Sequence, residues 1–297
     1  MAKVIRLPKT RKQLTVEPAV EAFMDRDWSP NTRRNFQSDL KRFLKTFSDR
    51  PVETITPKDL QRYLNRLKTN QGAPVAPQTY NRHFGTLNNL FGWLEQQEEI
   101  ERNPMDKVDR RKLPERLPRP MTSDQLKRFF RRIDESRDKV LFSLLYGSGL
   151  RVSEALALDI EDLDLRRGRF VIIGKGDVER VGYLSEETTK LIRRYLRERS
   201  RPKQGPLFES RQGRLSYAMT SRLFRRYAEG IETNGNPLTI HQLRHTFGSE
   251  RAGNMDALIL RDLMGHKSLR TTQQYAQVNG KAVEKAFREF DRERQEG

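Results

Sequence analysis

Apolar residues recur at helical spacing through the first hundred positions. After Ser29-Pro30, a cap followed by proline at the first helical position, Phe36, Leu40, Phe43, Leu44 and Phe47 fall on one face. Thr56-Pro57 opens a second helix striped with Leu60, Tyr63, Leu64 and Leu67, and a third runs from Pro77 through Tyr80, Phe84, Leu87, Phe91 and Leu94. With a short helix near Val16 to Met24, these predict a small all-α bundle over 15–106, preceded by a basic tail over 1–14. Residues 107–120 mix Lys107, Arg110, Arg111, Lys112, Arg116 and Arg119 with three prolines; little there looks able to pack, and the stretch reads as a linker.

The pattern restarts at Thr122-Ser123 with a capped helix through Leu126, Phe129, Phe130 and Ile133, then another from Asp138 to Tyr146. Gly147-Ser148-Gly149 breaks it, and a further helix reaches Leu158. Arg169 to Ile173 and Val178 to Leu184 flank Gly174-Lys175-Gly176-Asp177 and predict a short β-ribbon. Helices are expected from near Ser185, Ser216, Thr239, Met255 and Ser268, and a last amphipathic stretch carries Val283, Phe287 and Phe290. The fold class is therefore mainly α, with a small N-terminal helical domain and a larger, mostly helical domain over 121–297 that includes one small β element.

Composition then narrows the chemistry. Among 297 residues, 58 Lys and Arg oppose 40 Asp and Glu, leaving a net charge of +18 that favours a polyanionic partner. No apolar run approaches the ~18 residues of a membrane span, and the basic N-terminus lacks the apolar core of a secretory signal. The absence of cysteine excludes disulfide scaffolds, cysteine-ligated metals and thiol catalysis. A cytoplasmic, nucleoid-associated protein with DNA as its partner is the expectation.

Three of the four histidines, His241, His245 and His266, lie close together in sequence. His241 and His245 have the spacing that presents two imidazoles to one metal, but Arg244 stands between them, and an arginine suits an anion better. No metal is expected. The ordinary reading of a lone helix histidine is a hydrogen-bonded core residue, and His245 is given no step. A phosphodiester needs fixed donors for its non-bridging oxygens, a nucleophile and a proton donor for the leaving oxygen. Arginines and imidazoles can supply the first, and Ser, Thr, Tyr, His and Lys are the candidates for the others.

Five motifs stand in one order: Gly149-Leu-Arg151-Val-Ser-Glu154, the ribbon lysine Lys175, His241-Gln-Leu-Arg244-His, Leu263-Met-Gly-His266, and Thr271-Thr-Gln-Gln-Tyr275. In this order the chain resembles the tyrosine site-specific recombinases of the Xer-like and phage-integrase branch. The resemblance makes 15–106 a core-binding domain and 121–297 a catalytic domain; too few residues precede the first helix for an added arm-binding domain. It implies that Tyr275 attacks a DNA phosphate to leave a 3′-phosphotyrosine and a free 5′-hydroxyl. By the same resemblance Arg151 and Arg244 clamp the non-bridging oxygens, His266 adds a hydrogen bond, Lys175 protonates the leaving oxygen, His241 acts as acid/base, and Glu154 supports the site. No cofactor is implied, since the phosphotyrosine stores the phosphoester bond.

The resemblance also implies a C-shaped clamp on double-stranded DNA with paired inverted half-sites, and exchange through a Holliday junction in a tetramer. The segment from about 281 would contact the next protomer, with a second recombinase or accessory factors as further partners. Candidate DNA-reading residues are Arg33, Arg34, Lys41 and Arg82 in the first domain and Ser216, Thr220 and Arg222 in the second. The alternatives are a type IB topoisomerase-like enzyme that nicks and reseals, a DNA-binding regulator without catalysis, and a histidine-ligated metallonuclease. Tyr275 as a half-buried core residue, Lys175 as a solvated turn residue and Glu154 as a mere helix partner of Arg151 are the ordinary readings beside these.

Overall fold

Proline at the first position starts three helices of the first unit where their apolar stripes begin. In the computed structural model, which describes residues 13–113, 119–173, 179–233, 235–265, 272–273 and 275, the chain divides into two units, Met1–Glu115 and Arg116–Gly297. The first holds α1 (Val16–Met24), α2 (Pro30–Phe47), α3 (Pro57–Asn65) and α4 (Pro77–Gln96). Ser29 accepts the Thr32 amide at the start of α2, and Thr56 and Asp59 form a reciprocal capping box at the start of α3. Phe36, Leu40, Phe43 and Phe47 meet Leu60, Tyr63 and Leu64 and the α4 face from Tyr80 to Leu94 in one buried core. Each such side chain contributes roughly 1.5–3 kcal/mol on burial.

The segment expected to be a free linker is packed at its start. Val108 is buried in the first core, Arg110 stacks 4.6 Å from the Phe84 ring centroid, and Arg111 lies 4.3 Å from that of Tyr80. Asn81 donates to the Arg111 carbonyl and accepts its amide. Guanidinium faces can cover aromatic rings, so a basic run need not be a solvated one.

The second unit carries α5 (Ser123–Arg131), α6 (Ser136–Ser148) and α7 (Val152–Ala157), followed by β1 (Leu163–Asp164), β2 (Arg169–Ile173) and β3 (Glu179–Tyr183). Then come α8 (Glu186–Glu198), the hairpin β4 (Glu209–Ser210) and β5 (Gly213–Arg214), α9 (Tyr217–Tyr227), the hairpin β6 (Glu232–Thr233) and β7 (Asn236–Pro237), α10 (His241–Arg251) and α11 (Ala257–Met264). Helix α6 is the centre: Val140, Leu141, Phe142, Leu144 and Leu145 are all buried, so it shows no single apolar face.

The predicted ribbon is the β2–β3 pair of a three-stranded antiparallel sheet in the order β1-β2-β3. Val171 pairs with Val181, and Phe170, Ile172 and Gly182 face the core. Strand β1 and both hairpins have two residues per strand, too few for alternation to show in the sequence. The Gly174 to Asp177 turn and the stretch over 281–292 lie outside the described residues, and of the helix expected from near Ser268 only Thr272, Gln273 and Tyr275 are described, all three helical. Among the described residues no helix is long and apolar enough to cross a membrane.

Candidate active site

The break after α6 is where the site begins. Gly149 ends the helix at φ +63°, and a Cβ there would stand 2.3 Å from Cδ1 of Phe247 on α10. Glycine alone fits both demands. The chain then turns into α7 with Arg151 at its N-cap. The Arg151 amide donates to Glu154 Oε2 at 2.8 Å, and its Nη1 donates to Oε1 at 2.7 Å. Arg180, on the inward side of β3, donates from Nη2 to the same Oε2 at 2.8 Å. Burial opposes charge on Glu154, but the Arg151 amide, Arg180 and the Arg151 side chain outweigh it and hold the carboxyl below its ordinary pKa.

Three guanidiniums converge on three consecutive carbonyls at the end of α11. Arg180 Nη1 donates to Leu263, Arg244 Nη2 to Met264 at 2.7 Å, and Arg151 Nη2 to Gly265 at 2.9 Å. The helix C-terminus offers carbonyls without intrahelical partners and a partial negative charge, so cations are favoured there. Arg244 also donates from Nη1 to the Gly149 carbonyl and is buried. Burial, then the neighbouring Arg151, push its pKa down to about 10.

Tyr275 is buried, with its hydroxyl 3.1 Å from Nδ1 of His245. Its ring lies against α10 at Gly248, where a Cβ would stand 2.8 Å from Tyr275 Cε1. Burial raises the phenol's pKa, while Arg244 and then Arg151 pull the other way; the net shift is upward and the phenol is neutral. Burial, His241 and Arg244 push the pKa of His245 down to about 4, so its imidazole is neutral.

Of the residues expected to act, Arg151, Glu154, Arg244 and Tyr275 come together. Lys175 and His266 lie outside the described residues. His241, at the first turn of α10, is exposed; desolvation and then Arg244 lower its pKa. Among the described residues the imidazole at the phenol is that of His245, to which the sequence assigns no step. Arg180 is a further residue that the motifs do not mark, although it shares the core-facing side of β3 with Gly182, and a charged residue on the inner face of a strand is a signal. Among the described residues no group of three or more His, Asp or Glu side chains is arranged to hold a metal ion.

The expected DNA-reading residues separate. Lys41, Arg34 and Arg222 are exposed, and Arg34 reaches Asn31 on its own helix. Arg33 donates to the Met24 and Arg26 carbonyls, which ties α2 to the end of α1. Arg82 lies 2.5 Å from the buried carboxylate of Asp39. Ser216 caps α9 through the Met219 amide. Thr220 is a correction: it is fully buried, its hydroxyl donates to the Ser216 carbonyl, and it faces the core rather than a ligand.

The phage integrase family matches residues 119–281, more than half of the chain, and the phage integrase N-terminal SAM-like domain matches 21–98. Tyrosine recombinase XerC of Thermodesulfovibrio yellowstonii is 32% identical over 270 residues, covering 84% of this chain and 87% of its own. Tyrosine recombinase XerD of Listeria monocytogenes is 28% identical over 282 residues, covering 90% and 94%. A crystal structure of lambda integrase as a dimer bound to a COC′ core site superimposes with a TM-score of 0.72 at 21% identity, covering 90% of this chain and 97% of that one. The chain belongs to the phage integrase family, the tyrosine recombinases, which cut and rejoin DNA. The mainly helical fold is that of this family.

Proposed function

We propose that this chain carries out site-specific strand exchange on double-stranded DNA through a 3′-phosphotyrosine on Tyr275. The oxygen of Tyr275 attacks the phosphorus, the bond to the 5′-oxygen breaks, and Lys175 gives that oxygen its proton. Arg151 and Arg244 hold the non-bridging oxygens, His266 adds a hydrogen bond, and the phenol's proton passes to the His241 and His245 pair. Glu154 keeps Arg151 in place. A second transesterification reverses the first, so no cofactor enters. The observation that carries this reading is the convergence of two guanidiniums, an imidazole and a buried tyrosine on α10 and the end of α11. Fixed cations aimed at the charge developing on a phosphate are the strongest stabilisation such a reaction can draw on.

The wider assembly follows the same reading. A lambda integrase tetramer has been solved on a Holliday junction, and the fold shared with it (TM-score 0.69, 20% identity, 86% of this chain, 78% of that one) supports a tetramer on two sites with inverted half-sites. Residues 15–106 serve as the core-binding domain and 121–297 as the catalytic domain, with the chain after about 281 contacting the next protomer. Lys41, Arg34 and Arg222, all exposed, remain candidates for the DNA surface. The exchange takes place on chromosomal DNA in the cytoplasm, alone or with a second recombinase.

A nicked suicide substrate carrying a bound site, incubated in EDTA with wild type and Tyr275→Phe, tests this. Wild type is expected to shift to a 3′-linked covalent adduct on a denaturing gel, and the variant to give none. An adduct from Tyr275→Phe, or none from wild type on a specifically bound site, would overturn the reading. Supercoil relaxation without recombinant products would move it to a topoisomerase-like enzyme.

A further inference from the structure

Arg180 reaches the cationic cluster from the sheet, whereas Arg151 and Arg244 come from α7 and α10. Its Nη2 donates to Glu154 and its Nη1 to the Leu263 carbonyl, and the side chain is only 14% exposed. It also passes close over Gly265, where a Cβ would lie 2.8 Å from Nε; the φ of +62° there already favours glycine. Arg151, by contrast, is 44% exposed and shares Glu154 with Arg180. One carboxylate is therefore divided between two cations, the Arg151 amide and Arg180 on Oε2 and the Arg151 side chain on Oε1.

We infer that Arg180 is a positioning residue for the phosphate clamp. By occupying Oε2 and the Leu263 carbonyl, it keeps Glu154 from drawing the Arg151 guanidinium fully onto the carboxylate. It also fixes the turn that carries the Gly265 carbonyl, which holds Arg151 Nη2. Arg180 holds no phosphate oxygen itself; its two terminal nitrogens bridge Glu154 and Leu263. Through β3 it fastens the sheet to the end of α11. Without it, Glu154 has, among the described residues, Arg151 alone to pair with, and Arg151 turns away from the place where a phosphate oxygen would sit. This inference rests on the reading of Arg151 as a phosphate clamp.

The test compares single-turnover adduct formation on two nicked substrates, one with a natural scissile phosphate and one with a methylphosphonate. The methylphosphonate lacks one anionic oxygen, so its cleavage depends less on the Arg151 charge. On natural DNA, Arg180→Gln is expected to slow adduct formation about 100-fold, the loss that a small misplacement of a reacting group brings. Half-site affinity should change by less than about threefold, since a defect confined to the chemical step leaves ground-state binding intact. On the methylphosphonate most of the deficit should vanish, as it should for Arg151→Ala. Arg180→Lys, which keeps the charge but lacks the fork to span both partners, should show the same pattern at smaller size.

If Arg151→Ala is not relieved by the methylphosphonate, the clamp reading itself fails. If Arg151→Ala is relieved but the Arg180 variants are equally slow on both substrates, or cleave at the wild-type rate, the positioning role is overturned. Should Arg180→Gln lose DNA binding through misfolding, Arg180→Lys alone decides between these outcomes.

Discussion

In the first unit the buried carboxylate of Asp39 meets Arg82 at 2.5 Å, His83 Nε2 at 3.2 Å and the Thr86 hydroxyl at 2.9 Å. One anion faces one permanent cation, and the remaining partners are a histidine and a hydroxyl. In the second unit three guanidiniums gather around one carboxylate: Arg151 and Arg180 bond Glu154, while their other donors and both terminal nitrogens of Arg244 go to main-chain carbonyls. Among the described residues three positive charges less one negative leave two uncompensated. A carbonyl can hold a guanidinium without neutralising it, so this cluster still has an attraction for an anion and the Asp39 cluster does not. Both networks are built on a buried carboxylate; the balance of formal charge separates the one that supports a fold from the one proposed to hold a phosphate.

Breaking each network should therefore give opposite results. Arg244→Met is expected to lower adduct formation by at least about 10³-fold, in line with the loss of a fixed charge donor from a reacting centre. The same variant should melt within a few degrees of wild type, because a buried cation without a counter-charge contributes little to stability. A large fall in melting temperature together with residual cleavage would contradict this contrast.

Asp39→Ala is the converse. Removing the carboxylate strands Arg82 and His83 and is expected to destabilise the first unit by about 3 kcal/mol, read from urea unfolding followed by the fluorescence of Trp28 and Trp93. The adduct rate of the folded, DNA-bound fraction should stay within about threefold of wild type, since Asp39 shares no partner with the cationic cluster. A loss in the chemical step at saturating DNA would place Asp39 among the functional groups instead.

The smallest effect is in pH dependence. His245 has its pKa pushed down to about 4 from an ordinary value of 6.5. Between those values the unfolded chain takes up a proton that the folded protein refuses. Stability is therefore highest above about pH 6.5 and declines as pH falls toward 4, with no further loss from this residue below that. His241 and His83 are held low as well and add slope of the same sign, so the measurement is a difference: His245→Asn should flatten the urea midpoint between pH 6.5 and 4. An unchanged slope would mean that His245 adds no proton-linked strain to the cationic cluster.

Much of the fold is legible because stripe and cap coincide. Phe36 to Phe47 behind Ser29-Pro30, and Leu60 to Leu64 behind Thr56-Pro57, are the helices observed. Helix α6 starts at Ser136, ahead of the expected Asp138, since an element buried all round has no polar face to mark its limits. Arg151, Glu154 and Arg244 can be read from motif order. Arg180 cannot, because one arginine among 58 basic residues looks like surface until the inner face of β3 is known. His245 is hidden by its place beside Arg244, and Thr220 is misplaced because the buried side of α9 cannot be told from its first turn. The stacking of Arg110 and Arg111 on Phe84 and Tyr80 joins residues far apart in the chain, and no local pattern records it.

Helix α10 is also tied to the beginning of its own unit. The Met121 amide donates to the Thr246 hydroxyl at 2.8 Å, and that hydroxyl donates to the Gln242 carbonyl one turn back. Gln242 and Thr246 bracket Arg244. A displacement of the chain at Pro120 therefore reaches the Arg244 helix through a single hydroxyl, within two hydrogen bonds. Tension along the incoming chain and the setting of that guanidinium are, in mechanical terms, one lever.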